Sequence, residues 1–269
     1  MLGSSRESLA ALRRSLDARS GETGFSPVSG DLLAVAAVLG REKSLRQMLA
    51  DSGQQEASRV GIVTSLFGGR ISPTATEVLV DVVRTRWSSG ADLVDALEIL
   101  GAQAAFTSAR LDGGLDRVET ELFTFAQAVD TSPELQMALT DPSETAEGKS
   151  ALVRDLVGAT ASPVTTSLLV HLAGNLRGRR PAAAVEELAR LAAEERQRLL
   201  AEVRTAVTLT PEQEQRLAAA LSRIQGRDVR INVILDPEVV GGIVVRVGDD
   251  VIDGSVASRL ENARRTVGV

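Results

Sequence analysis

Residues Ile231–Leu260 read Ile-Asn-Val-Ile-Leu-Asp-Pro-Glu-Val-Val-Gly-Gly-Ile-Val-Val-Arg-Val-Gly-Asp-Asp-Val-Ile-Asp-Gly-Ser-Val-Ala-Ser-Arg-Leu. Ile231, Val233 and Leu235 alternate with Asn232 and Ile234 until Asp236-Pro237 breaks the run, as a strand ending in a turn does. Ile243–Val247 resumes a β-branched run, Gly248-Asp249-Asp250 supplies turn chemistry and Val251-Ile252 is a third short run, so a meander is expected. Gly241-Gly242 reads as a bulge or a close backbone approach between strands. Asp253-Gly254-Ser255 offers N-cap oxygens to a segment in which Val256, Leu260, Ala263 and Val267 recur at helical spacing. The stretch holds no histidine, cysteine, tyrosine or lysine. That makes it a docking module rather than a reaction centre.

Just upstream, Val203, Thr205, Val207 and Leu209 alternate with Arg204, Ala206 and Thr208, which predicts a strand. Thr210-Pro211-Glu212-Gln213 caps a helix with Leu217, Leu221 and Ile224 on one face. The order strand, helix, strands, helix predicts a small α+β domain over 201–269, entered from a helix over 181–204.

The preceding two hundred residues repeat. A shift of 90 aligns 31–80 with 121–170 without a gap, matching Leu32 with Leu122, Leu49 with Leu139, Asp51 with Asp141, Leu66 with Leu156, Ser72-Pro73 with Ser162-Pro163 and Leu79-Val80 with Leu169-Val170. Like-for-like pairs add Arg59 with Lys149 and Ile62 with Leu152. Coinciding Ser-Pro pairs and apolar spacing favour a true internal repeat. Seven of the eight prolines follow Ser, Thr or Asp, the signature of an N-cap before proline at the first helical position. Helices are expected near 4–19, 28–40, 42–51, 54–67 and 73–88 in the first copy. In the second they fall near 115–130, 133–140, 143–158, 163–176 and 181–204. Between the copies, Ala91–Leu111 forms one long helical pattern that closes one bundle and opens the next. The fold expected is mainly α: a first bundle over 1–94, a second over 95–200 and an α+β domain over 201–269.

Composition narrows function. No cysteine is present, which removes disulfides, thiolate metal sites and a cysteine nucleophile. The start, Met1-Leu2-Gly3-Ser4-Ser5-Arg6-Glu7, is charged where a signal peptide needs an apolar core, and the run Leu32–Leu39 is far short of the ~20 residues that span a bilayer. A net charge of −6 and 2% aromatics suit neither a phosphate-binding surface nor base stacking. No nucleic-acid partner is expected.

The C-terminal stretch closely resembles the signature of the delta subunit of F-type ATP synthases, the oligomycin sensitivity conferral protein family. The matching residues are Asp236-Pro237, Gly241-Gly242, Gly248-Asp249, Val251-Ile252-Asp253-Gly254-Ser255 and Arg259-Leu260. Residues from about 95 onward match an ordinary delta subunit, and the first hundred are surplus, which resembles the extended delta subunits of actinobacteria. With Met1 directly before a helix, a free subunit rather than a fusion is expected. The resemblance implies a non-catalytic stator that links the alpha-subunit N-termini of the catalytic head to the membrane-anchored b-type subunits of the peripheral stalk. It implies a peripheral position on the cytoplasmic face of the cell membrane, with no cofactor. It also implies an alpha-chain groove between helices at about 95–111 and 163–176, with Phe106, Leu168 and Leu172 as wall residues. The first copy has the equivalent helices at 4–19 and 73–88.

Sharper chemistries fit poorly. Gly148-Lys149-Ser150 invites a phosphate loop, but Ser143 stands where its first glycine belongs and the preceding segment is helical. Asp249, Asp250, Asp253 and Gly254 hint at a calcium loop, yet Val251 and Leu260 occupy ligand positions. His171 is the only histidine, so it reads as a helix-face residue, and Arg177, Arg179 and Arg180 read as a solvated loop before Pro181. An enzyme using Asp236 and Asp253 as acid and base lacks any pocket or partner group. The alternative to the stator is a free-standing helical scaffold or adaptor unrelated to the synthase.

Overall fold

The computed structural model describes residues 3–21, 25, 27–158, 160–197, 199–225, 229–236, 239, 241–247 and 250–253. They form two compact units, Met1–Glu195 and Arg196–Val269.

The first unit is helical: α1 (Ser4–Ala18), α2 (Val28–Arg41), α3 (Lys43–Ala50), α4 (Glu56–Phe67), α5 (Pro73–Arg84), α6 (Gly90–Leu111), α7 (Leu115–Thr131), α8 (Pro133–Thr140), α9 (Ala146–Val157), α10 (Pro163–Gly174) and α11 (Pro181–Gln197). The bounds of α3, α4 and α5 become those of α8, α9 and α10 on adding 90, so the sequence repeat is a structural one. Its punctuation is physical. Ser72, Ser132 and Ser162 each accept a hydrogen bond from the third residue of the helix they cap, at 3.2–3.3 Å, with proline next in the chain. Each cap satisfies one of the amides that a helix start leaves unpaired.

Asp141-Pro142 does not follow that rule, and the helix expected from 143 starts at Ala146. Asp141 instead accepts from the Ser143 amide and hydroxyl at 2.8 and 2.7 Å, closing an Asx turn, and Thr145 caps α9 through the Gly148 amide at 3.0 Å. Asp51 makes the same turn with Gly53 in the first copy.

Two apolar cores fill the unit. Leu16, Leu32, Leu39, Leu49, Leu79 and Leu97 belong to one, and Phe106, Leu122, Val129, Leu139, Leu169 and Val185 to the other. Helix α6 serves both: Ala104 packs in the first core and its neighbour Ala105 in the second. Adding 90 to α1 lands within α6, and subtracting 90 from α11 lands there too. One helix is therefore the last of the first repeat and the first of the second.

The second unit holds β1 (Leu199–Thr205), α12 (Pro211–Gln225), β2 (Val229–Leu235), β3 (Ile243–Val247) and β4 (Asp250–Asp253). The mainly helical protein with a small α+β C-terminal part matches the expected class. Two details differ. The helix expected to run to 204 stops at Gln197, and Leu199–Thr205 is a strand. Leu199, Leu200, Ala201 and Glu202 have good helix propensity, but strands on both sides supply a ladder that overrides it. The sheet is also not a meander, because its order is β2-β1-β3-β4. β1 pairs in parallel with β2, across a connection that contains α12, and antiparallel with β3. Local alternation marks a strand without naming its neighbour. Val203, Leu221, Val229 and Val245 form the small core.

Candidate functional site

Of the C-terminal signature, Asp236, Gly241, Gly242, Val251, Ile252 and Asp253 fall among the described residues, while Pro237, Gly248, Asp249, Gly254, Ser255, Arg259 and Leu260 lie outside them, as does the closing helix expected through Val256, Leu260, Ala263 and Val267. Asp236 extends the β1–β2 pairing through its amide to the Thr205 carbonyl at 2.9 Å, and its carboxylate lies 3.6 Å from Arg204. Gly241 and Gly242 have φ of 67° and 80°, a conformation that costs a side chain about 1 kcal/mol or more. They bend the chain into β3, ahead of the ladder rather than inside it. Asp253 ends β4 opposite Val244. Each described signature residue thus has a backbone task.

Phe106 on α6 and Leu168 and Leu172 on α10 come together in the second core, at 0%, 2% and 6% exposure. The space beside Leu172, lined also by Phe125, Leu139, Val153 and Val185, is about 10 Å³. That is about the least volume that accepts one water, so α6 and α10 meet as packed neighbours.

The arginines before Pro181 are not simply solvated, and this cluster is the feature that sequence reasoning missed. Arg177 reaches Asp95 at 2.6 Å and Glu98 at 2.7 Å, and Arg179 reaches the same Glu98 oxygen at 2.8 Å. His171 Nε2 lies 3.7 Å from the other Glu98 oxygen. Burial by itself would raise the Glu98 pKa, but His171, Arg179 and Arg177 outweigh it and hold the carboxyl below its ordinary value. Its available signal was the pair Asp95 and Glu98, three residues apart on a helix otherwise rich in buried apolar side chains. An ionised carboxylate between two guanidiniums anchors a loop. It is poorly suited to moving protons.

Beside that loop, Pro133, Gln136, Met137, Thr140, Arg180 and Pro181 line an open cavity of about 370 Å³. Gly148-Lys149-Ser150 lies in the first turns of α9, where no strand-to-helix phosphate loop exists. Among the described residues no group of three or more acidic, histidine or cysteine side chains could hold a metal, and no helix is long and apolar enough to cross a membrane.

These helices and this sheet have relatives. Residues 102–267 match the family model described as "ATP synthase delta (OSCP) subunit", and a protein of Streptomyces avermitilis named ATP synthase subunit delta is 46% identical over 265 residues, covering 98% of this chain and 97% of its own. The chain belongs to the ATP synthase delta (OSCP) subunit family. Proteins of the same name from Acidothermus cellulolyticus and Nocardia farcinica are 42% and 40% identical, each covering 98% of this chain and 98% and 99% of their own. The match to the delta family model opens inside α6, whereas these relatives align along nearly the full length. They therefore share the first bundle, as the extended actinobacterial type requires. A chain of the cryo-EM structure of the Toxoplasma gondii mitochondrial ATP synthase hexamer is 26% identical and covers 64% of this chain and 98% of its own, at a TM-score of 0.29.

Proposed function

We propose that this delta-family chain is a non-catalytic stator subunit of the peripheral stalk of a proton-translocating F-type ATP synthase. The observation that carries this is the 46% identity over 98% of the chain to a protein named ATP synthase subunit delta. A free-standing scaffold unrelated to the synthase does not account for it.

In this reading 95–200 meets the N-terminal helices of the alpha subunits, with Phe106, Leu168 and Leu172 as the floor beneath a helix laid along α6 and α10. The domain 201–269 holds the b-type subunits, with Asp236 and Asp253 at its strand ends and Gly241 and Gly242 at the bend into β3, and 1–94 is a further bundle. Placement on the cytoplasmic face of the cell membrane follows from those partners. A stator must resist torque, and buried apolar interfaces with anchored loops suit that task better than flexible ones do.

Affinity purification of the tagged chain from detergent-solubilised membranes tests the assignment. Alpha and b-type subunits are expected with it, and their absence from an otherwise intact synthase preparation overturns the proposal. For the groove, an alpha N-terminal peptide added to the full chain should shift NMR signals along α6 and α10. Shifts confined elsewhere would reject it.

A further inference from the structure

The two repeats carry the same stripe on their fourth helices. In α4 it is Arg59, Ile62 and Leu66, and in α9 it is Lys149, Leu152 and Leu156. Spacing of i, i+3 and i+7 sets the three in one line along a helix. The core-facing side of these helices carries Val63 and Val153, each 1% exposed, and in α4 Arg59 is buried beside Val63 at 5%. Leu66 and Leu156 are 42% and 53% exposed, and Ile62 and Leu152 are half-buried. Folding the bundles does not require the outer leucines.

The solvent-facing neighbours have diverged in kind, with Gly61 against Ala151, Thr64 against Arg154 and Ser65 against Asp155. The stripe between them has kept cation, aliphatic and leucine in both copies. Its cationic head is incomplete. Nε and Nη1 of Arg59 are buried without a hydrogen-bond partner, and its guanidinium joins no ion pair among the described residues. A buried cation with unmet donors is costly until a carboxylate meets it. Lys149 is half-buried and likewise in no ion pair, although the exposed Asp141 feels its charge.

We propose that α4 and α9 are two equivalent docking helices. Each receives an amphipathic helix that offers a carboxylate to Arg59 or Lys149 and an aliphatic stripe to residues 62 and 66 or 152 and 156. The two occupants are copies of one synthase subunit, because one surface chemistry presented twice selects one partner twice. The first bundle then doubles the attachment that the second makes, and avidity follows without any new kind of contact. This rests on the stator assignment above.

The experiment uses the assembled synthase purified through this chain, with the photo-cross-linking residue p-benzoylphenylalanine replacing Leu66 or Leu156 in turn. Both positions are expected to cross-link to the same polypeptide, within an acidic helical segment. Arg59→Gln should lower the yield at position 66 by about tenfold and leave that at 156 unchanged, while Arg59→Lys retains most of it. Capture of two different polypeptides, or of none in an intact complex, overturns the proposal. If the unmodified chain carries no synthase subunits before irradiation, it is the stator assignment that fails.

Discussion

A Cβ placed on Gly101 of α6 would lie 2.8 Å from both Cγ and Cδ2 of Leu33 on α2, and 3.4 Å from the Ser29 carbonyl oxygen. The missing side chain lets the two helices approach closely, and Leu33 packs with the second core although it belongs to the first repeat. At the equivalent place in the second repeat, Phe123 is 58% exposed and Leu191 stands where Gly101 does. The junction between the bundles is thus built on one asymmetric pair.

Gly101→Ala gains about 1 kcal/mol of helix propensity but drives a methyl against the branch point of Leu33, where overpacking costs about 1–3 kcal/mol. A net loss of about 1 kcal/mol is expected in urea unfolding, and Gly101→Val should lose more. Combining Gly101→Ala with Leu33→Ala should cost less than the sum of the two changes. A more stable Gly101→Ala protein would contradict the packing described.

Glu195 is 2% exposed on α11 and pairs with Arg110 of α6 at 3.1 Å, with the Thr107 hydroxyl donating at 3.3 Å. Removing Arg110 takes a cation away from a buried carboxylate. Arg110→Leu should destabilise the helical unit by about 3 kcal/mol, and adding Glu195→Leu should recover part of that. Thermal denaturation with a double-mutant cycle measures both, and a cost below about 0.5 kcal/mol, the range of ordinary surface substitutions, would argue against a buried pair.

Glu98 sets an acid limb. Its folded pKa lies below the ordinary 4.5, so the unfolded chain binds the proton more readily. Its contribution is complete well above pH 4.5 and is lost as pH falls through the folded value. Glu98→Gln should therefore be less stable than the parent at neutral pH, with the gap narrowing below pH 4.5. A gap that stays constant down to about pH 3 in urea titrations would show that the carboxyl is not held ionised.

Val203 sits at the centre of β1, fully buried, facing Val233 on one side and Val245 on the other. With so few apolar residues in this core, Val203→Ala should cost about 2 kcal/mol. Amide exchange should accelerate in β1, β2 and β3 while the helices of the first unit keep their protection. Equal acceleration in both units would mean that they unfold together.

Much of the helical part was legible because its signals are local. Ser-Pro caps, 3.6-residue spacing and the 90-residue repeat each act within a turn or two of chain, and α5, α8 and α10 begin at the prolines that the sequence marks. The delta-subunit signature at the C-terminus was legible as a family likeness, and its glycine pair as a backbone feature, although the pair bends the chain ahead of β3 and is not a bulge between strands. The Glu98 cluster was not, because Asp95 and Glu98 meet Arg177 and Arg179 across some eighty residues that pattern reasoning does not connect.

The sequence by itself marked most of the helices, the duplication and the family, since these rest on periodicity, capping and residue order. Only the tertiary structure decided that α6 serves two cores, that Leu33 crosses into the second, that Leu199–Thr205 is a strand and that β1 lies between β2 and β3. Each of these depends on which distant surface is available to pair with or to bury. A chain pattern states that a face is apolar, whereas packing selects what covers it.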